Sequence, residues 1–546
     1  MKKLFALMLA LVLLAGCAAP AAPAEPEQSL TEKKLEEISQ LGAGTDDNYR
    51  TWYEIFVYSF CDSDGDGIGD LKGVASKLDY LEELGVSGIW FMPLHPSQSY
   101  HKYDVADYYA IDPAYGTLED FQALLAACKE KDIHVIMDLV LNHTANNHPW
   151  FLEACDYLRS LPAGEEPDPA VCPYVDYYTF SREPAGNYHS VSGSEWYYEG
   201  QFSPDMPDLK LEQEAVRREI RAVMTYWLDM GVDGFRLDAA KEFYSGMTSK
   251  NVEVLSWIQE TAASIKPDVN LVAEVWDGFG GVTEYYTSGI TSLFNFPFAD
   301  SSGKIVTILR NAGNEAQIHT YAEALEKADT AYSGSNPNYI DAPFLANHDV
   351  GRVAGFVSRD ESKVKLAGAM NLFMSGSAFI YYGEEIGMVG SGNDPSKRAP
   401  MYWNAARDKG TTNPPPECEL PETYPFGSLE EQQTNDLSVY NYYRQAVAIR
   451  QALPVLSHGK TTAESTLNTG CVSAFRKTWD EEACIVLMNI SETGAQVDLK
   501  AYVAEGWTLA ASLSVGEEPV TLQEDGTLLM PGYGTAVLLP APAQTA

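Results

Sequence analysis

Short apolar runs alternate with helix-patterned stretches along most of the chain from Tyr53 onward. A run of about four to eight apolar, β-branched or aromatic residues predicts a buried strand, whereas helical spacing of apolar residues predicts an amphipathic helix. The predicted strands are Glu54–Ser59, Gly88–Pro93, His134–Val140, Gly234–Leu237, Leu271–Glu274, Ser292–Phe296, Phe344–Ala346 and Ala378–Tyr382. Helical spacing is present in Leu78–Leu84, Leu118–Lys131, Glu212–Met230 and Val252–Ile265. These eight strands predict an α/β fold, a closed (β/α)₈ TIM barrel, whose functional residues lie at the C-terminal ends of the strands.

The pattern changes in two places. After His143 no clean helix is predicted until about Glu212, and the intervening stretch is rich in Pro, Tyr, Gly and Ser. A loop of that length inside a compact domain is normally functional. From about Pro454, short alternating runs such as Val472–Phe475 and Ile485–Met488 predict an antiparallel β-sandwich. The predicted domains are therefore a barrel in residues 41–143 and 207–450 and a C-terminal sandwich in residues 451–546.

The first residues have the pattern of a bacterial export signal. Lys2 and Lys3 precede an apolar stretch from Leu4 to Leu14, which is followed by Ala, Gly and Cys17. Cys17 sits where a bacterial lipoprotein is cleaved and acylated, so residues 1–17 are interpreted as a lipoprotein signal peptide. Residues 18–40 begin with a Pro/Ala-rich stretch and are interpreted as a tether. We expect the protein to lie outside the cytoplasm, on the cell surface, anchored to the bacterial membrane through a lipid on Cys17.

The charge of the chain restricts its partners. The sequence has 37 Lys and Arg residues against 77 Asp and Glu residues, which gives a formal net charge of −40. Such a charge argues against binding of nucleic-acid phosphates or anionic lipid headgroups. A neutral sugar polymer is compatible with it, and the sequence gives no prediction of an oligomeric state.

The cysteines leave two disulfide pairings open. If Cys17 carries a lipid, an odd number of thiols remains, and either Cys155 with Cys172 or Cys471 with Cys484 could form a bridge in an oxidising compartment. The sequence contains no Cys-x-x-Cys pair, so a zinc or redox site is not predicted.

Four short segments carry the candidate chemistry, and each lies at the end of a predicted strand. They are Asp138-Leu-Val-Leu-Asn-His143, Gly234-Phe-Arg-Leu-Asp238, Val272-Ala-Glu-Val-Trp276 and Phe344-Leu-Ala-Asn-His-Asp349. Cleavage of a glycosidic bond needs one carboxyl group that donates a proton and a carboxylate on the other side of the anomeric carbon. Asp238 and Glu274 end adjacent strands, whose backbones lie about 5 Å apart. Their side chains could reach the separation of roughly 5–5.5 Å that accompanies retention of configuration.

In this order and spacing, the four segments resemble the catalytic signatures of the α-amylase family of glycoside hydrolases (family 13). Met206-Pro-Asp208 resembles a fifth signature, that of α-amylases intermediate between the oligo-1,6-glucosidase and neopullulanase groups. The resemblance implies that Asp238 is the nucleophile, Glu274 the acid/base and Asp349 a stabiliser of the transition state. It also implies that residues 144–206 form a small inserted domain B, which makes one wall of the cleft.

The resemblance further implies a set of residues around the cleaved sugar. Arg236 lies two residues before Asp238, so strand alternation places both side chains on one face, where the arginine can align the carboxylate. His143 and His348 would donate hydrogen bonds to sugar hydroxyls. Tyr103 would stack on the sugar face.

Three further substrate-binding residues follow from the same resemblance. Asp104 would bind hydroxyls of the sugar on which Tyr103 stacks. Lys241 and Trp276 follow Asp238 and Glu274 closely in the sequence and would line the leaving-group side of the cleft.

A run of alternating aspartates follows the first predicted strand. Carboxylates at alternate positions with glycines between them suit a hard cation such as calcium. The run does not fit an EF-hand, because Gly73 stands where that loop needs a glutamate. Similar loops in oligo-1,6-glucosidase-like enzymes bind structural Ca²⁺, and the resemblance implies a metal site formed by Asp62, Asp64, Asp66, Asp70 and the carbonyl of Ile68.

We therefore expect a retaining, endo-acting α-amylase that hydrolyses the α-1,4-glucosidic bonds of starch and maltooligosaccharides. One alternative is an exo-acting α-glucosidase or cyclomaltodextrinase. Another is a non-catalytic starch-binding surface protein, and retention of Asp238, Glu274 and Asp349 argues against it because binding alone requires none of them. A sugar-rearranging transferase is also compatible with these residues.

Overall fold

The computed structural model describes residues 28–541. The predicted signal peptide and its lipidation residue, Cys17, lie outside the described residues. Among the described residues, none of the helices is both long and apolar enough to span a membrane.

The strands of the described chain are β1 Thr51–Ile55, β2 Gly88–Phe91, β3 His134–Leu139, β4 Phe180–Ser181, β5 Tyr188–Ser190, β6 Tyr197–Glu199, β7 Gly234–Leu237, β8 Asn270–Ala273, β9 Ser292–Leu293, β10 Ala378–Tyr381, β11 Lys460–Ala463, β12 Val472–Trp479, β13 Glu482–Asn489, β14 Ala495–Asp498, β15 Trp507–Leu513, β16 Thr521–Leu522, β17 Thr527–Met530 and β18 Thr535–Pro540.

The α-helices are Leu30–Ser39, Val57–Phe60, Leu71–Ala75, Leu78–Leu84, Leu118–Glu130, Pro149–Ser160, Glu214–Met230, Thr248–Ile265, Phe279–Tyr285, Lys304–Arg310, Glu315–Ile318, Thr320–Ser335, Val353–Phe356, Glu361–Leu372, Asp394–Lys397, Leu429–Gln433, Val439–Ala452, Val455–His458 and Lys500–Ala504. Short 3₁₀ helices lie at Pro173–Asp176, Tyr286–Ser288 and Glu384–Ile386.

The parallel strands form the predicted barrel, in the order β10-β1-β2-β3-β7-β8-β9. Residues 341–343 close it, because Asn295 N donates to Ala342 O on one side and Phe379 N donates to Pro343 O on the other. Aromatic and branched side chains from the strands fill the interior, among them Trp52, Trp90, Ile136, Val272, Phe294, Phe344 and Phe379. The barrel is therefore a packed core that leaves only the strand ends for chemistry.

Two predicted strands are wrong in detail. The first strand is Thr51–Ile55, and residues 57–59 of the predicted Glu54–Ser59 belong instead to the helical turn Val57–Phe60. Both segments are buried and apolar, and hydrophobicity alone does not separate a buried strand from a buried helical turn. The predicted strand Phe344–Ala346 is not a strand in the structure, and a single bridge between Phe294 and Ala342 lies two residues before it. Pro343 follows that bridge and has no N–H to extend the ladder.

The segment after His143 differs from its prediction in one respect. It contains a helix, Pro149–Ser160, where no clean helix was predicted before Glu212. His148 caps this helix by accepting a hydrogen bond from Trp150 N, and Phe151, Ala154, Cys155 and Leu158 form its buried face. The spacing of that face is helical, but Pro149 and the surrounding loop composition obscured it. The rest of the segment includes a small antiparallel sheet of β4, β6 and β5.

The end of the chain has the predicted antiparallel strands in two sheets, β11-β12-β13-β18-β15 and β14-β17-β16. Ile485, Leu487, Leu528 and Leu538 belong to the apolar layer between the sheets. Alternate residues such as Val486 and Val537 instead join the main core with the barrel. The C-terminal domain is thus attached to the catalytic domain by buried apolar contacts.

The N-terminal tether of the sequence prediction ends earlier than residue 40. Ser29 caps a helix at Leu30–Ser39, which packs against the helix Val439–Ala452. Ile38 is buried there, and Glu32 forms an ion pair with Arg444 at 2.9 Å. The helix has few apolar residues, so its pattern alone did not indicate packing.

The seven cysteines among the described residues all have free thiols. The structure therefore contains neither the Cys155–Cys172 nor the Cys471–Cys484 bridge that the sequence left open.

Candidate active site

A cleft of about 620 Å³ lies at the C-terminal ends of the barrel strands. The three carboxylates that the sequence selected, Asp238, Glu274 and Asp349, all line it. Its other lining residues are His101, Tyr103, His143, Phe202, Ser203, Met206, Ala239, Lys241, Glu242, Trp276, Asp394 and Arg398. Phe202, Ser203 and Met206 come from the segment between β3 and β7 and contribute to this lining.

Arg236 organises the two carboxylates that the mechanism pairs. Its guanidinium is fully buried; Nη1 lies 2.6 Å from Oδ1 of Asp238, and Nη2 lies 2.8 Å from Oε2 of Glu274. Because both oxygens bind the same planar group, the two carboxyl groups are held close together and in a fixed orientation. Nη1 also contacts both carboxylate oxygens of Asp138, at 2.9 and 3.0 Å.

The surroundings of Glu274 suit a proton donor. Its Oε2 accepts hydrogen bonds from Arg236 and from Ala239 N, the latter at 3.0 Å, which leaves Oε1 to carry a proton. Ala239 reaches this position with φ of 46°, a left-handed conformation that is uncommon for a residue with a side chain. Burial raises the pKa of Glu274; Arg236 opposes the shift, and the negative charges of Asp238 and Asp349 add to it. A raised pKa keeps a general acid protonated closer to neutral pH.

Asp349 is held from two sides by cationic groups. Its Oδ1 lies 2.9 Å from Nη2 of Arg398, and its Oδ2 lies 3.0 Å from Nε2 of His348. Burial opposes ionisation, but these two groups outweigh it and hold the pKa of Asp349 well below its usual range. Nζ of Lys397 fixes the backbone by donating to Asp349 O at 2.7 Å. Asp349 therefore presents a negative charge to the cleft that Asp238 and Glu274 also line.

The remaining predicted sugar ligands fall into two groups: residues that line the cleft and residues that are buried behind its lining. Tyr103 and His143 line the cleft, and Nε2 of His143 donates to Tyr103 O at 3.2 Å. His348 has no exposed surface and lies behind Tyr103, with the two rings stacked at 5.3 Å. Asp104 is also buried away from the lining, where its Oδ1 accepts hydrogen bonds from Ser97 at 2.6 Å and from Ser99. The structure thus brings Asp104 and His348 beside the cleft but not into its surface.

The predicted leaving-group side contains two exposed aromatic rings. Trp276 is 47% exposed and stacks on Phe296 at 5.2 Å, and Nζ of Lys241 donates to Trp276 O at 3.2 Å. Phe202, which the sequence analysis did not select, is 49% exposed. Gln201 beside it donates to Glu242 at 3.3 Å and so places Phe202 on the Lys241 side of the cleft.

Sequence reasoning also missed three charged groups that support the site. Asp138 is paired in register with Arg236 on the neighbouring strand, Glu54 lies on β1 beside His348, and Arg398 comes from the loop after β10. A charged residue inside an otherwise apolar strand was the available signal for Glu54 and Asp138. Arg398 had no such signal, because its loop has no regular pattern.

The aspartate loop after β1 is partly assembled as predicted. Asp62, Asp64 and Asp70 each place a carboxylate oxygen within 4.8 Å of the other two. Asp66 is not part of this group, and its Oδ1 accepts a hydrogen bond from Ile68 N at 2.7 Å. Gly65 and Gly67 turn the loop with φ of 87° and 92°. Clustered carboxylate oxygens are the ligands that a hard divalent cation prefers, so the donor set fits calcium.

Comparison with known proteins agrees with this geometry. Residues 54–459 match the family model of the α-amylase catalytic domain. The chain is 40% identical over 447 residues to α-amylase 3 of Dictyoglomus thermophilum, which covers 81% of this chain and 84% of that protein. It is 30% identical over 459 residues to a glucan 1,6-α-glucosidase of Streptococcus pneumoniae, covering 73% and 83% of the two chains.

The solved structure of Amy13B from Eubacterium rectale superimposes with a TM-score of 0.88 at 44% identity, covering 93% of this chain and 99% of that one. A barrel with three carboxylates in its cleft, and a family match over most of its length, define a glycoside hydrolase. The chain belongs to the α-amylase family.

Proposed function

We propose that this protein is a retaining α-amylase that cuts within α-1,4-linked glucans. The observation that carries the proposal is the contact of one guanidinium, Arg236, with both Asp238 and Glu274 inside the cleft. Two carboxyl groups held this close match a double-displacement mechanism, since inverting enzymes separate the pair to admit a water molecule.

The residues support each step of that mechanism. Oε1 of Glu274 gives its proton to the glycosidic oxygen as the C1–O bond breaks, and a carboxylate oxygen of Asp238 bonds to C1. Glu274, now ionised, takes a proton from water, whose oxygen attacks C1 and releases the carboxylate of Asp238. The negative charge of Asp349 stabilises the positive charge that develops on the sugar ring in both steps.

The shape and lining of the cleft support an endo-acting enzyme over an exo-acting one. Trp276 and Phe202 expose aromatic surface on the leaving-group side, which suits binding of sugar units beyond the cleaved bond. The similarity to an enzyme named α-amylase is also higher than that to one named glucan 1,6-α-glucosidase. The latter similarity keeps an exo-acting α-glucosidase as the second candidate.

Product analysis separates these candidates. The purified enzyme is incubated with amylose, and early products are sized while the anomeric configuration is followed by proton NMR. We expect a mixture of short maltooligosaccharides released as α-anomers. Glucose as the sole early product would favour the exo-glucosidase, and initial release of β-anomers would contradict the retaining mechanism.

We propose that the aspartate loop binds a structural Ca²⁺. Asp62, Asp64 and Asp70 supply the carboxylate oxygens, and the loop lies between β1 and the helix Leu71–Ala75, outside the cleft lining. The ion would hold this loop and take no part in the chemical steps.

We also propose that the protein is a lipoprotein on the outer side of the bacterial membrane. The support is the sequence pattern that ends at Cys17 and the Pro/Ala stretch after it. In the native host, Cys17→Ala is expected to release or mislocalise the protein while the freed enzyme keeps its specificity. Membrane fractions that retain the variant at the wild-type level would refute the anchor.

A further inference from the structure

The His348 imidazole lies between two carboxylates. Its Nδ1 is 2.6 Å from Oε1 of Glu54, and its Nε2 is 3.0 Å from Oδ2 of Asp349. An ionised carboxylate accepts hydrogen bonds and cannot donate them, so both ring nitrogens must carry a hydrogen to satisfy both contacts. Nε2 also lies 2.6 Å from the hydroxyl of Tyr103. The geometry is therefore that of an imidazolium.

Glu54 has no evident structural role other than its contact with His348. It lies in the middle of β1, is 1% exposed and does not line the cleft. Its partners in register on the adjacent strands are Trp90 and Tyr381. Within residues 28–541, His348 is the only side chain to which the carboxylate of Glu54 is hydrogen-bonded. A buried carboxylate is costly unless it is paired, and its single pairing here is with a residue next to Asp349.

The charged groups around His348 come from every element packed against it. Glu54 lies on β1, Tyr103 on the loop after β2, Asp138 on β3 and Arg236 on β7, while Arg398 donates from Nε to His348 O at 3.1 Å. The edge of the Trp90 ring completes the enclosure. Burial lowers the pKa of the imidazole, but Asp349 and Glu54 outweigh burial and raise it to about 9.

We propose that Glu54 is a positioning residue that keeps His348 protonated on both nitrogens, so that Nε2–H holds Asp349 in its reactive orientation. The inference rests on the proposed role of Asp349 in glycoside hydrolysis. If the charge of Glu54 is removed, the ring loses a proton at lower pH. With the proton retained on Nδ1, the lone pair of Nε2 then faces the carboxylate of Asp349, and the hydrogen bond becomes a repulsion.

The test is the pH dependence of Glu54→Gln. The amide oxygen of glutamine can still accept from Nδ1–H, so the fold is expected to survive, but the negative charge is lost. We expect kcat on a soluble maltooligosaccharide to lie within about threefold of wild type near pH 5.5. At pH 8 it should fall at least about tenfold below wild type, because the alkaline limb moves down by about two pH units or more.

Glu385→Gln provides the matched control. Glu385 is equally buried and accepts hydrogen bonds from Tyr53 at 2.9 Å and from Tyr80, but it does not contact the cleft. Its variant should keep the wild-type shape of the pH profile even if the protein is less stable. A uniform loss of kcat at all pH values in Glu54→Gln would reduce Glu54 to a structural role and overturn the proposal.

A second measurement does not depend on activity. Histidine-selective ¹⁵N labelling of the wild-type enzyme, with the His348 signals assigned by their absence from His348→Gln, reports protonation directly. Both His348 nitrogens should remain protonated at pH 8, and a neutral ring there would overturn the proposal. If the wild-type enzyme instead fails to cleave any α-glucan, the proposed function fails, while this titration still decides whether His348 is protonated on both nitrogens.

Discussion

Arg236 and Asp138 face each other in register on neighbouring barrel strands, with Nη1 of the arginine 2.9 and 3.0 Å from the two carboxylate oxygens. Both side chains are buried beneath the cleft, and neither lines it. The same Nη1 contacts Asp238, so Asp138 fixes the guanidinium that in turn fixes the proposed nucleophile. The pair supports the catalytic geometry from below.

Asp138→Asn should therefore reduce both activity and stability. Removal of one partner from a buried ion pair costs about 3–5 kcal/mol, because the remaining charge stays buried. We expect a clear fall in melting temperature and a kcat reduced at least about tenfold, measured on soluble starch. Asp233→Asn is the control. Asp233 forms an ion pair with Lys266 at 2.7 Å and lies just before β7, at the N-terminal end of the strand that carries Arg236. The Asp233→Asn variant should lose stability without losing kcat. Wild-type activity in Asp138→Asn would contradict the role of Asp138 in positioning Arg236.

Neutralising either paired carboxylate should abolish turnover while the fold remains intact. Asp238→Asn removes the nucleophile, and Glu274→Gln removes the proton that the leaving group needs, a contribution of about 10²- to 10⁴-fold in rate. Circular dichroism and melting temperature verify the fold, and reducing-sugar release measures turnover. Glu242→Gln, at the edge of the same cleft, should stay within about tenfold of wild type. Substantial activity in either catalytic variant would refute the assignment.

The proximity of Asp238 and Glu274 was predictable from sequence, whereas the catalytic roles of these residues and of Asp349 followed from the resemblance to the α-amylase family. Asp238 and Glu274 directly follow β7 and β8, so the barrel geometry alone brings them together. Glu54 and Asp138 were visible only as charges inside buried strands, and their partners depend on strand register. Arg398 reaches Asp349 from an irregular loop, and no local pattern records such a long-range contact.

The predicted ends of strands and helices were wrong where the local sequence pattern and the tertiary context disagree. Pro343 ends a ladder that the apolar residues after it would continue, and the apolar residues at 57–60 fit a strand as well as the helical turn they form. The helix Leu30–Ser39 is stabilised by docking on Val439–Ala452, which sequence spacing does not reveal.

Lys477 should make stability depend on pH above neutrality. It lies on β12 with no exposed surface, and its Nζ donates to Ser375 Oγ at 2.7 Å and to Leu456 O at 2.6 Å. Burial lowers the pKa of Lys477 to about 7. Between that value and its unfolded pKa of about 10.4, the unfolded chain binds more protons, so stability rises with pH.

The comparison of Lys477→Met with wild type isolates this effect. The difference in free energy of unfolding should move in favour of wild type as the pH rises from 7 to 10, by at most about 1.4 kcal/mol per pH unit. Lys460→Met, at an exposed position on the adjacent strand β11, should show no such trend. A difference that stays constant with pH would show that Lys477 is charged throughout.

Removal of calcium should destabilise the enzyme. A ligand that binds only the folded state raises its stability by mass action, so chelation should lower the melting temperature and added Ca²⁺ should restore it. Asp64→Ala removes one of the three clustered carboxylates and should lose most of this response. Asp498→Ala is the control, because Asp498 makes a comparable side-chain contact to Lys500 N at 3.0 Å without a cluster. An unchanged chelator response in Asp64→Ala would exclude the proposed ligand.

Phe202 should determine how strongly the enzyme holds the leaving part of its substrate. Its ring is half exposed in the lining of the cleft, and exposed aromatic rings in a cleft gain free energy when a sugar face covers them. Phe202→Ala should lower kcat/KM for maltoheptaose about fivefold, roughly 1 kcal/mol, while Phe202→Tyr should retain it. Tyr109→Ala removes an exposed aromatic ring outside the cleft lining and should have no effect. If Phe202→Ala and wild type cleave maltoheptaose with equal kcat/KM, the ring does not form part of the substrate-binding surface, and Trp276 alone would supply the aromatic contact on that side.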